Sequence, residues 1–185
     1  MNHPATSKEE LLTVSLRLAN EAGLKAFTIR SIAEACGISV GCVYRYFPSK
    51  AALLAATVEN IWESIFREID GYIGPEDFRE YVRRLYGCIR NGSAEYPAFF
   101  AVHAAAFSPE EKDEGRAVMN SYTRRIQSGM TKALASDPRV RPDVFDGSFP
   151  AAAFSAFIFQ NLVELAARQE EDCSYLLRLV EKLLY

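Results

Sequence analysis

The chain has 185 residues, of which 49% are hydrophobic and 24% charged. That balance excludes a disordered or fibrous polypeptide and suits one large helical domain, or a small domain joined to a larger one. The formal net charge of −3 argues at first against a nucleic-acid partner. The charges are unevenly spread, however. Residues 1–50 hold six bases (Lys8, Arg17, Lys25, Arg30, Arg45, Lys50) against four acids (Glu9, Glu10, Glu21, Glu34), so the acidic excess lies beyond residue 50. A change of sign along the chain is what a phosphate-binding segment produces. No apolar run reaches the roughly 20 residues of a membrane span. The richest one, Ala151–Val163, is interrupted by Ser155, Gln160 and Asn161. The opening MNHPATSKEE has neither a basic n-region nor an apolar h-region, so a cytoplasmic protein with no membrane partner is expected. Cys36, Cys42, Cys88 and Cys173 form no Cys-x-x-Cys pair and lie apart in sequence from His3 and His103. No metal site is expected from that spacing, and four reduced, mostly buried thiols are.

The elements read as helices almost throughout, about nine of them. Ser7-Lys8-Glu9-Glu10 is a capping box that opens the first, which Gly23 should end. Thr28 caps a short helix to about Cys36, and Gly37 breaks it. Ser39 caps the next, to about Phe47. Pro48 stops that helix, and Ser49 caps a longer one from Lys50 towards Asp70. Gly74 and Pro75 are placed as N-cap and first residue of the following helix, where Phe78, Val82, Leu85 and Ile89 repeat at helical spacing. Asn91-Gly92-Ser93 should end it. Pro97 to Phe107 reads as a short apolar helix, and Ser108-Pro109-Glu110-Glu111 as a second capping box opening a helix to about Ser136. After a loop from Asp137 to Phe149 come two more helices, Pro150–Ala167 and Ser174–Leu184.

The segment from Thr28 to Lys50, TIRSIAEACGISVGCVYRYFPSK, carries the chemistry. Two helices that cross through a tight turn need a small residue on the first, a residue tolerant of positive φ in the turn and a compact apolar plug on the second. Ala33, Gly37 and Val43 supply these, with Ile32 and Ile38 adding core. Tyr44, Arg45, Tyr46 and Lys50 then fall within about two turns, and phenols and bases of this kind contact phosphate oxygens. Ser39 leaves the first amides of the second helix facing outward, and Gly41 permits close approach to a groove.

The run Thr28-Ile29-Arg30-x-Ile32-Ala33-x-x-Cys36-Gly37-Ile38-Ser39-x-Gly41-x-Val43-Tyr44-x-Tyr46-Phe47-x-Ser49-Lys50-x-x-Leu53 resembles the DNA-binding signature of the TetR family of bacterial transcriptional regulators. The likeness covers about Ser7 to Leu54. Cys42 departs from it, since the family more often carries Thr, Ala or Ser there. The resemblance implies an all-α fold with a three-helix helix-turn-helix DNA-binding domain (residues 1–50) and a larger helical effector-binding and dimerisation domain (residues 51–185). It implies a homodimer on a palindromic operator, one recognition helix per half-site, and repression relieved by a small molecule that acts through the helix Lys50–Asp70. By position in that motif, Thr28, Tyr44, Tyr46 and Lys50 would grip phosphates. Arg30, Ser39, Val40, Gly41, Cys42 and Arg45 would lie nearest the bases, with Arg45 and Arg30 the candidates for a guanine contact.

Beyond the motif, aromatic residues at helical spacing read first as core. An apolar effector pocket among them would draw on Trp62, Phe66, Phe99, His103, Tyr122, Phe157 and Asn161. The last two helices have broad apolar stripes, and a four-helix seam between two copies is expected there. No catalytic triad, paired carboxylates in an apolar setting or phosphate-cradling glycine loop is present, so neither an enzyme nor a cofactor is implied. The alternative reading is a helical small-molecule-binding protein without operator specificity.

Overall fold

The structure, a computed structural model, describes residues 6–70, 77–97 and 112–185, with side chains left aside at 22–26, 68, 70 and 112–119. Among the described residues the chain is all-helical, with eight helices and no strand: α1 Lys8–Ala26, α2 Ile29–Ala35, α3 Val40–Tyr46, α4 Lys50–Asp70, α5 Phe78–Glu95, α6 Lys112–Ser136, α7 Ala151–Ala167 and α8 Ser174–Leu184. The expected helix at Pro97–Phe107 and the capping box at Ser108–Glu111 lie outside the described residues, apart from Pro97 itself. No described helix is long and apolar enough to cross a membrane.

The helices gather into two compact units. The first comprises Met1–Ser64 with Tyr96–Asn120, and the second Ile65–Glu95 with Ser121–Tyr185. In the first, α1 packs on α2 and α2 on α3. Leu11, Phe27, Ile32, Ala33, Val43, Phe47 and Leu53 form its buried core. Local chemistry sets most of the helix starts. Ser7 Oγ accepts from the Glu10 amide (3.1 Å), and Ser49 Oγ from the Ala52 amide (3.0 Å). Gly23 does not end α1, which continues to Ala26 before the buried Phe27. One glycine costs a helix only about 1 kcal/mol, which buried neighbours outweigh.

In the second unit α5 packs on α7 and α8. Phe78, Leu85, Ile89, Met130, Phe154, Ile158, Leu162 and Val180 are buried there. The helix α5 starts at Phe78, after Asp77 at φ 42, and the expected cap at Gly74 and Pro75 lies outside the described residues. The cause is distant in sequence: the Phe78 amide donates to Asp137 Oδ2 (2.9 Å), 59 residues on. At its other end α5 runs through Gly92 to Glu95. Gly92 is buried, and a Cβ there would meet Ile65 Cγ1 at 2.7 Å. This glycine permits close helix approach and is not a stop signal.

Asp137 joins three parts of this unit. Besides the Phe78 amide it accepts from the Arg139 guanidinium (3.0 Å to each oxygen) and from the Tyr185 hydroxyl (2.5 Å). Arg139 also pairs with Asp77 (3.3 Å), and Arg79 with Glu181 (3.0 Å). These groups line a polar cleft of about 270 Å³ with Asp77, Arg79, Arg139, Glu181 and Tyr185 on its walls. Burial pushes the Asp137 carboxyl up, but the hydrogen bonds from Arg139, Tyr185 and the Phe78 amide outweigh it and hold the group well below the usual carboxylate range. Of the four cysteines Cys173 alone is buried, and the other three are half-buried, contrary to the expectation of mostly buried thiols. Burial pushes the Cys173 thiol up to about 11.

A depressed carboxyl pKa contributes stability above its unfolded value, about 3.9, and that contribution is lost as pH falls through the lower folded value. Asp137→Asn should therefore lower stability by about 1–3 kcal/mol at neutral pH, the worth of hydrogen bonds to a charged group. The gap from wild type should narrow as pH drops below about 4. Thermal unfolding of both proteins across that range checks this, and a gap that ignores pH contradicts it.

Candidate DNA-binding site

The turn between α2 and α3 is built from backbone geometry. α2 opens on Thr28, whose Oγ1 accepts from the Ser31 amide (3.0 Å) while Ser31 Oγ accepts from the Thr28 amide (3.2 Å). It closes at Cys36, after which Gly37 sits at φ +65. The Gly37 amide donates to the Glu34 carbonyl (3.1 Å), and the Ile38 amide donates back to the Ala33 carbonyl (3.0 Å). This pair of bonds is a Schellman motif, and its left-handed residue suits glycine. Ser39 then caps α3, its Oγ accepting from the Cys42 amide (3.3 Å).

This geometry divides α3 into two faces. Val43 points into the core and is fully buried. Ser39, Val40, Gly41, Tyr44 and Arg45 are exposed, and Cys42 is half-buried. Tyr44 has 48% of its surface exposed, and its hydroxyl has no hydrogen bond among the described residues. A Cβ added to Gly41 would meet only Ser39 Oγ, at 3.8 Å, so no packing within the chain requires glycine there. The Arg45 guanidinium lies over the Tyr46 ring, 5.3 Å from its centroid. Arg30 is exposed on α2, and its Nε meets Glu34 Oε1 at 3.0 Å. An exposed pair of this kind is worth roughly 0–1 kcal/mol and yields readily to a phosphate or a base. Thr28 is exposed but its hydroxyl is engaged in the cap, and Lys50 is half-buried at the start of α4. Tyr46, expected at a phosphate, donates its hydroxyl proton to the carbonyl of Thr6 in this structure. The structure thus brings the expected DNA-facing residues onto one stretch of α2, α3 and the start of α4, with Tyr46 engaged elsewhere. Sequence reading missed Thr6, because a main-chain carbonyl acting 40 residues away leaves no mark in the pattern.

The candidate effector residues do not converge in the same way. Trp62 and Phe66 are buried on α4, and Tyr122 is buried on α6. Phe99 and His103 lie outside the described residues. Phe157 is 48% exposed on α7. The outward position follows from the register of α7, whose Phe154, Ile158 and Leu162 take the inward face. Asn161 is half-buried and turns back on its own helix, Nδ2 donating to the Phe157 carbonyl (2.8 Å).

Residues 11–57 match the family model described as bacterial regulatory proteins, tetR family. Over those residues the chain is similar to the TetR family of bacterial regulatory proteins. The transcriptional repressor KstR of Rhodococcus jostii is 38% identical over 58 residues, which are 31% of this chain and 27% of that relative. Less than a third of KstR is therefore matched, and the match is confined to a short segment. The fold is shared far more widely. A transcriptional regulator from Rhodococcus sp. Rha1 superposes with a TM-score of 0.66 at 22% identity, covering 87% of this chain and 82% of that one. FadR from Bacillus subtilis, in complex with stearoyl-CoA, superposes with a TM-score of 0.66 at 16% identity, covering 96% of this chain and 97% of that one.

Gly37→Ala should cost about 1–2 kcal/mol, the penalty for an L-residue in the left-handed region. It should also weaken DNA binding at temperatures where the protein stays folded, because α3 loses its aim. Thermal unfolding and duplex titration of the one variant check both, and a variant as stable as wild type contradicts the turn assignment.

Proposed function

We propose that this protein is a ligand-responsive repressor that binds a palindromic operator as a homodimer and leaves it when a small apolar molecule binds. The observation that carries the reading is the exposed face of α3, whose unpartnered Tyr44, glycine without an internal packing role and stacked Arg45 lie beside Lys50. Each α3 enters a major groove, the two half-sites standing one helical turn, about 34–36 Å, or a multiple apart. Thr28, Tyr44 and Lys50 hold phosphates and set the register, while Ser39, Val40, Gly41, Cys42, Arg45 and Arg30 face the bases. A bidentate arginine–guanine contact is worth about 1–3 kcal/mol of discrimination.

Residues 1–50 form the DNA-binding part in this reading, and residues 51–185 the effector-binding and dimerisation part. Phe66 and Tyr122, both buried in the second unit, are apolar groups on which an effector site draws in this reading. FadR's complex with stearoyl-CoA supports an effector with a long apolar chain for a fold of this kind, and KstR's description as a repressor supports the direction of control. The dimer seam is placed on α7 and α8, where Phe157 and Tyr175 (83% exposed) lie at the surface. Ala153, Phe157, Gln160 and Glu164 recur along one outward face of α7. The effector acts by its different affinity for two spacings of the paired recognition helices, with α4 as the connection.

Selection of bound sites from random duplex DNA should return a near-palindrome. Tyr44→Ala and Lys50→Ala should weaken binding to all sequences alike, whereas Arg45→Ala should relax preference at particular base pairs by about 5- to 150-fold. A protein indifferent to all three changes, or a monomer by light scattering at micromolar concentration, overturns the reading.

A further inference from the structure

A phenol has one proton to donate. That of Tyr46 goes to the Thr6 carbonyl, and phosphate oxygens only accept. Tyr46 therefore does not hold Thr6 and donate to a phosphate at the same time. A second contact reinforces the first. Lys8 Nζ sits over the ring of Phe47, 5.6 Å from its centroid. Thr6 and Phe47 are both buried, and Ser7 between Thr6 and Lys8 is the cap of α1. The last residue of α3 and the residue after it thus hold the beginning of α1 at two points. Since α1 packs on α2 and α2 on α3, these contacts close a ring of three helices.

The same aromatic ring supports Arg45, whose guanidinium stacks on it at 5.3 Å. An exposed arginine left to itself samples many rotamers, and fixing it on binding costs side-chain entropy. A ring pinned by its hydroxyl at one edge gives that arginine a fixed platform. We propose that Tyr46 is a specificity-determining positioning residue: its hydroxyl ties α3 to the start of α1, its ring presets Arg45 for the bases, and it makes no phosphate contact of its own. The role in specificity rests on the DNA-binding reading above. The anchor between α3 and α1 does not.

The test uses full-length wild type, Tyr46→Phe and Tyr44→Phe on two duplexes, one selected by the wild type from random DNA and one of random sequence. Tyr46→Phe should lose about tenfold on the selected duplex, within the range a preset arginine contact controls, and almost nothing on the random one. Tyr44→Phe should lose equally on both. In the free protein, Tyr46→Phe should speed hydrogen exchange at the Glu10 and Leu11 amides, which bond to Ser7 at the start of α1. Equal loss by Tyr46→Phe on both duplexes would place its hydroxyl on a phosphate and overturn the proposal. Unchanged exchange at Glu10 and Leu11 overturns the anchor. A wild type with no preference among duplexes overturns the DNA reading and the specificity role together, and the exchange measurement then decides the anchor alone.

Discussion

The bond from the Ile38 amide back to the Ala33 carbonyl sets the geometry on which the candidate site depends. It forms because Gly37 takes a left-handed conformation, which turns the chain sharply within the residues between α2 and Ser39. With that turn made, Ser39 is placed to cap α3, and Val43 is placed to fill the space beside Ala33. Once Val43 points inward, the helical repeat leaves Val40, Gly41, Tyr44 and Arg45 pointing outward. One backbone conformation thus decides which side chains face a groove. The contacts of Tyr46 and Lys8 then hold the far end of α3 as the glycine turn holds the near end.

The second unit is organised by a charged group instead of a turn. Asp137 gathers the start of α5, the loop after α6 and the residue after α8 through hydrogen bonds from Phe78, Arg139 and Tyr185. A carboxylate almost out of contact with water is tolerated only when its lone pairs are filled, and here they are. The arrangement fixes where α5 begins and, through α5, where α7 and α8 pack. The outward register of Phe157 and Tyr175 follows from that packing, and so the proposed dimer surface depends on the same centre.

What could be read in the sequence was what the chain decides locally. Ser7, Thr28, Ser39 and Ser49 cap the helices they were expected to cap, because a cap involves residues only three apart. Gly37 was legible for the same reason. The misread features have distant causes. Gly92 has the sequence context of a stop signal, and only its proximity to Ile65 shows that it is a packing position. The start of α5 at Phe78 is set by Asp137, 59 residues on. The bond from the Tyr46 hydroxyl to the carbonyl of Thr6 likewise leaves no mark in the sequence pattern.

The salt dependence of operator affinity tests the central claim most directly, because cations that replace phosphate counterions release them. The full-length protein should lose affinity for its selected duplex steadily as salt rises from about 50 to 200 mM, with log K linear in log salt, and Lys50→Ala should flatten that line by about one unit of slope. An affinity that does not change with salt, or a slope that Lys50→Ala leaves untouched, would contradict the placement of phosphate contacts beside α3.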